Sequence, residues 1–162
     1  MPTAHDIFAR LCELSPLSLQ TDFDNSGFLV GRGDREVKKV LLSLDITRPV
    51  IEEAAAWGAE LIVSHHPLIF QPLRSLTDQG DGAKALLLAE EGIAAICMHT
   101  NLDIAEGGVN DVLIRTLGME PLEALDVDGC GRIGELPETV SLADFLDRCK
   151  TALKANMLRY VD

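Results

Sequence analysis

At 162 residues the chain is long enough for one domain with a buried core and short for two. Apolar residues make up 47% and charged residues 25%, an ordinary globular composition, while 14 Lys and Arg against 26 Asp and Glu leave a formal charge of -12. That field repels polyanions and argues against nucleic acid or an anionic membrane surface as partner, although a bound cation can reverse the potential locally for a small anionic substrate.

Thr3 with Asp6 three residues on has the form of a capping box. Ile7, Phe8, Leu11 and Leu14 follow at helical spacing, which predicts a first helix ending near Pro16. Residues 17–27 are polar and irregular, and the pair Asp22 and Asp24 reads as a turn whose side chains bond the local backbone. A short apolar piece, Phe28-Leu29-Val30, lies between Gly27 and Gly31, and a strand is expected over Val37–Leu44, ending at Asp45. Thr47 then caps a helix with Pro49 in its first turn, stopped by Gly58.

Ala59–Val63 is a short buried strand, 68–82 a Pro- and Gly-rich loop with room for a helical turn, and Ala83–Glu91 a helix closed by Gly92. Ile93–Met98 makes a further strand and Val109–Leu117 a helix stopped by Gly118. Beyond it, strands are expected at Cys130–Leu136 and Met157–Val161, around a helix capped by Ser141. Alternating strands and helices of about ten residues predict a single α/β domain over 1–162 with a mostly parallel sheet and helical crossovers.

The cysteines Cys12, Cys97, Cys130 and Cys149 form no CxxC pair, so neither a zinc ribbon nor a secreted disulfide framework is expected. Cys97 and Cys149 read as small core residues and Cys130, between two glycines, as more exposed. The first residues show no basic stretch followed by an apolar one, and no apolar run approaches membrane-spanning length. A cytoplasmic, reduced setting is the expectation.

Ser64-His65-His66-Pro67 carries most of the functional information. Two adjacent imidazoles at the end of a buried strand need partners for their half-buried nitrogens, and a metal ion is a common one. In an open α/β sheet ligands sit outside the carboxyl ends of the strands, so Asp45, His65, His66 and the cluster His99 to Asp103 are expected at one edge. If the backbone stays extended past the strand, the two imidazoles point to opposite sides. That favours one ion for each ring, with Asp103, aimed by a loop, as the bridging carboxylate between paired metals. Other readings stand beside these: a helix cap or hydrogen-bonded loop pair for the histidines, and a helix N-cap for Asp103. His99 reads first as a buried hydrogen-bonded or supporting residue and second as a ligand, and His5 as solvated. No G-x-S-x-G elbow surrounds Ser64, and Gly31-Arg32-Gly33 lacks the lysine of a phosphate loop.

Asp24-Asn25-Ser26-Gly27-Phe28-Leu29-Val30-Gly31, Ser64-His65-His66-Pro67-Leu68-Ile69-Phe70 and His99-Thr100-Asn101-Leu102-Asp103-Ile104-Ala105 resemble, in order and spacing, three motifs of the GTP cyclohydrolase I type 2 homologues, the Nif-three-like group. The resemblance implies an α/β fold and two divalent cations, with Zn, Fe, Mn or Ni as plausible identities, facing the cavity of a toroidal homohexamer. It makes His65, His66 and Asp103 metal ligands. The group's name implies hydrolytic opening of a purine ring by metal-bound water, so a nucleotide-like or related small substrate is expected. Members of the group continue past the point where this chain ends and carry a further His and Glu at the metals. The chain therefore resembles the N-terminal half of a member. A non-enzymatic metal-binding adaptor or metal-handling role, and an inactive truncated form, are the alternatives.

Overall fold

The computed structural model describes residues 1–80 and 82–161; Asp162, at the chain end, lies outside them. The chain groups into two compact units, Met1–Ala105 and Glu106–Asp162.

The first unit opens with α1 (Ala4–Leu14), whose Thr3 hydroxyl accepts the Asp6 N–H while the Asp6 carboxylate accepts the Thr3 N–H, the capping box read from the sequence. β1 (Gly27–Val30), β2 (Val40–Ser43), α2 (Arg48–Trp57), β3 (Leu61–Ser64), α3 (Gly82–Glu91), β4 (Ala94–Cys97) and the short α4 (Thr100–Ile104) follow. Thr47 caps α2, and Gly58 closes it in the left-handed conformation at φ 74°. The 68–80 stretch contains turns and bends but no helix.

The four strands run in the order β1-β4-β3-β2. β2, β3 and β4 are parallel, joined through α2 and α3, and β1 pairs antiparallel with β4. Side chains alternate across the sheet. Ile62 and Ala95 join Ile51, Ala54 and Leu88 of the helices in one buried cluster. Leu61, Ala94 and Ile96 point the other way into a second cluster with Ala4 of α1, against which Ile7, Phe8 and Leu11 pack. Helices on both faces explain why the inner strands are apolar throughout rather than alternating. Gly31 has φ 102°, and a Cβ there would sit 2.7 Å from the Ala94 Cα, so the chain leaving β1 passes too close to β4 for any larger residue.

Register decides where the chemistry falls. Ser64 pairs with both Ser43 and Cys97, and Cys97 pairs with Gly27. One row of residues therefore crosses the whole sheet at the carboxyl ends of the parallel strands. Because β1 is antiparallel, it is the segment before β1, Asp24 to Ser26, that reaches this edge.

The second unit contains α5 (Val109–Thr116), a hairpin of β5 (Glu120–Glu123) and β6 (Ile133–Glu135), and α6 (Leu142–Ala152) capped by Ser141. Its buried ion pair joins Asp111 to Arg132, with side chains 6% and 12% exposed. The Gly107 N–H donates to the Asp111 carboxylate, and this bond, with the Arg132 pair, outweighs burial and lowers its pKa. The strand expected at Met157–Val161 is not formed; Met157, Tyr160 and Val161 are exposed, and an apolar run without a ladder partner does not make a strand. β5 escaped the sequence because Pro121 lies inside it, tolerated where one edge of the strand bonds nothing. No helix among the described residues is long and apolar enough to cross a membrane.

Candidate metal centre

β3 ends at Ser64, and His65 and His66 follow in a bend, tied by N–H bonds to the Ser43 and Leu44 carbonyls at 3.2 and 2.9 Å. The extended backbone, and with it the alternation of side chains, ends just before the pair. Instead of pointing apart, the two rings converge, with centroids 5.0 Å apart. His99 joins them at 5.1 Å from His65 and 5.6 Å from His66. One potential ligand nitrogen from each of the three lies within 4.8 Å of the others.

The hydrogen bonds show which nitrogen each ring has to offer. His65 Nδ1 is 3.1 Å from the Met98 carbonyl, His66 Nδ1 is 2.8 Å from Asp45 Oδ1, and His99 Nδ1 is 2.7 Å from Asp24 Oδ1. A carbonyl and an ionised carboxylate only accept, so each Nδ1 must carry the proton and donate it. Each neutral ring then has its lone pair on Nε2. This is the arrangement in which metal-binding imidazoles are held, the second nitrogen donating to a carboxylate or backbone carbonyl.

Asp103 is placed by α4 rather than by the loop expected from the sequence; its N–H bonds the His99 carbonyl at 3.0 Å. Its Oδ1 stands 3.6 Å from His65 Nε2. Two ligands each about 2.1 Å from a tetrahedral zinc ion lie about 3.4 Å apart, so the spacing suits a shared cation. His65, His66 and Asp103 are thus brought to one place, and His99, first read as a supporting residue, stands in the same cluster. His5 is elsewhere, its ring edge-on to Phe28.

Asp24 is the residue that sequence reasoning undervalued. Its side chain has no exposed surface. Besides the local bonds from the Asn25 N–H and the Ser26 hydroxyl, it accepts from the Thr100 N–H, the Thr100 hydroxyl and the His99 ring. Burial works to raise its pKa, but the bonds from Thr100, His99 and Asn25 outweigh it and bring the value down to about 2. Asn25 in turn donates to the Ile69 carbonyl at 2.6 Å, linking this turn to the segment after the histidine pair. Two signals pointed to it: its place at the head of the first family motif, and chain direction, since an antiparallel first strand brings its amino end here.

Burial and the Asp24 charge push the Cys97 thiol up to about 12, and its S–H donates to the His65 carbonyl, so it is not a thiolate ligand. The cluster is open on one side, His66 being 45% exposed against 20% for His65. Beside His65 lies a cleft of about 310 Å³ walled by Leu11, Leu14, Leu42, Val63 and Met98, with no Lys or Arg lining it.

Comparison with known proteins agrees with the motifs. The Duf34/NIF3 (NGG1p interacting factor 3) family pattern matches residues 2–162. The chain belongs to this family. It is 37% identical over 163 residues to a Clostridium perfringens protein named GTP cyclohydrolase 1 type 2 homolog, and 40% identical over 158 residues to one of the same name from Lactococcus lactis, each match taking in 96% of the chain. It spans 62% and 61% of those relatives' own lengths. The solved structure of Staphylococcus aureus hypothetical protein SA1388 matches with a TM-score of 0.85 at 28% identity, over 98% of this chain and 67% of that one. Reduced HcgD from Methanocaldococcus jannaschii gives 0.82 at 34% identity, over 92% and 59%. The Duf34/NIF3 resemblance and the mostly parallel α/β sheet expected from the sequence are both borne out.

Proposed function

We propose that this Duf34/NIF3 chain carries a divalent-metal centre for hydrolysis of a nucleotide-like or related small substrate. The observation that supports it most is the set of three clustered imidazoles whose Nδ1–H groups are all committed to oxygen acceptors, leaving three Nε2 lone pairs, that of His65 standing 3.6 Å from the Asp103 carboxylate. Each imidazole also has a carboxylate within 4 Å: Asp103 for His65, Asp45 for His66, Asp24 for His99. With the rings neutral, this concentration of negative charge favours a cation. His65, His66, His99 and Asp103 would hold the metal, and Asp24, Asp45 and the Met98 carbonyl hold the ligands. Mixed nitrogen and oxygen donors suit Zn, Fe, Ni or Mn. A bound divalent cation supplies Lewis acidity at an oxygen of the substrate or of water. The half-exposed His66 side gives access, and the uncharged cleft beside His65 suits a ring or apolar portion of a substrate rather than its phosphates. The same reading takes the protein as a homo-oligomer, hexameric as the resemblance implies.

One observation favours a non-enzymatic, metal-handling role as second reading: Asp24 and Asp45 are each committed to an imidazole, so neither is free to move a proton. Elemental analysis of the purified 162-residue chain and of His66→Ala tests the centre. Stoichiometric divalent metal, lost in the variant, is expected; a metal-free wild-type chain that takes up none on addition refutes it. Turnover on a panel of nucleotides and cyclic amides separates hydrolase from metal handler.

A further inference from the structure

Asp24 is the one carboxylate beside the three imidazoles that is wholly buried, while Asp45, which serves His66, is 56% exposed. A buried carboxylate persists only when its oxygens are fully bonded. Here the two oxygens divide the work. Oδ2 takes the Thr100 N–H, the Thr100 hydroxyl and the Ser26 hydroxyl, which anchors the start of α4. Oδ1 takes the Asn25 N–H and the His99 ring. The Ser26 hydroxyl meanwhile accepts the His99 backbone N–H at 3.1 Å, so the turn before β1 holds both the backbone and the ring of the same histidine. Anchoring α4 does not require a bond to the ring. Oδ1, which also takes the neighbouring Asn25 N–H, is the oxygen aimed at the ring.

We propose that Asp24 is the positioning residue of the centre: it holds His99 in the Nδ1–H tautomer, with its Nε2 lone pair turned toward His65 and His66. The metal part of this inference rests on the metal-centre reading; the tautomer part does not. Asp24 cannot share this task with a neutral amide. In Asp24→Asn one oxygen becomes an NH₂ group, which faces either the Thr100 N–H or, on the other side, the Asn25 N–H and the His99 Nδ1–H, donor against donor. At the ring the clash is relieved by moving the proton to Nε2, which places a hydrogen where a metal would bind.

The test is a long-range ¹H–¹⁵N correlation of the imidazoles in metal-free protein at about pH 8, above the usual imidazole range. Wild-type His99 is expected to show a protonated Nδ1 and a bare Nε2. In Asp24→Asn the Nε2–H form becomes populated, and Co²⁺ titration gives an affinity lower by about 10- to 100-fold. In Asp45→Asn the His99 tautomer stays as in wild type. Wild-type His99 with the proton on Nε2 overturns the proposal, and that result needs no variant to fold. So does a folded Asp24→Asn that keeps both tautomer and Co²⁺ affinity, or one that loses affinity with the tautomer unchanged. If the wild-type tautomer is as expected but no Co²⁺ binds, it is the metal reading that falls.

Discussion

Lowering the pH removes a stabilising interaction whose size follows from the Asp24 environment. The carboxylate titrates at about 2 in the folded protein against an ordinary value of 3.8. That difference corresponds to about 2 kcal/mol for a side chain with no exposed surface. The folded-state value is the lower one, so the stabilisation is complete well above pH 3.8 and is lost as pH falls toward 2. About 1 kcal/mol of it should be gone by pH 3. Many other carboxylates titrate in the same range, so the quantity to measure is a difference. Urea unfolding of wild type and Asp24→Asn, with chelator present and ionic strength constant, is followed from pH 7 to pH 3. Wild type should be more stable by at least about 2 kcal/mol on the neutral plateau, with the gap narrowing by about 1 kcal/mol at pH 3. A gap that stays flat over this range would refute the argument that bonding to the ionised form holds Asp24 in place.

Ile62, fully buried in the central strand β3 between α2 and α3, should cost about 2–5 kcal/mol when changed to alanine and about 0.5–1.5 when changed to valine, by the same urea measurement. In the second unit, Arg132→Met leaves Asp111 buried with Arg115 no closer than 3.9 Å, a loss of about 3 kcal/mol that hydrogen exchange should report at the amides of α5 and β6. Unchanged protection there would mean that the ion pair holds nothing together.

The parts of the fold that local chemistry dictates were legible in the sequence. The Thr3–Asp6 box, the Thr47 cap with Pro49 and the β-branched and leucine-rich strands before Asp45 and His65 all form as expected. The site was legible as far as strand ends determine it, which is why His65, His66 and Asp103 were found. Two kinds of information were missing. Chain direction in β1 is invisible locally, yet it alone carries Asp24 to a histidine 75 residues further on. The point at which an extended strand gives way to a bend is equally hidden, so two rings expected to diverge converge instead. α4 is five residues long, too short for a helical period to show. In the second unit, where less apolar surface is buried, pattern was a poorer guide, and Met157–Val161 was read as a strand with nothing to pair with.

The hydrogen-bond ladder of the sheet does not stop where the strands do. The N–H groups of His65, His66 and Met98, one or two residues beyond their strands, bond the carbonyls of Ser43, Leu44 and Ser64. The backbone of His65 and His66 is thus tied to the end of β2, and its amides exchange only when these end bonds open. An ion arriving here meets ligands whose ordering entropy was spent when the sheet formed. The His65–His66 pair should therefore keep its backbone placement for as long as the ends of β2 and β3 stay paired.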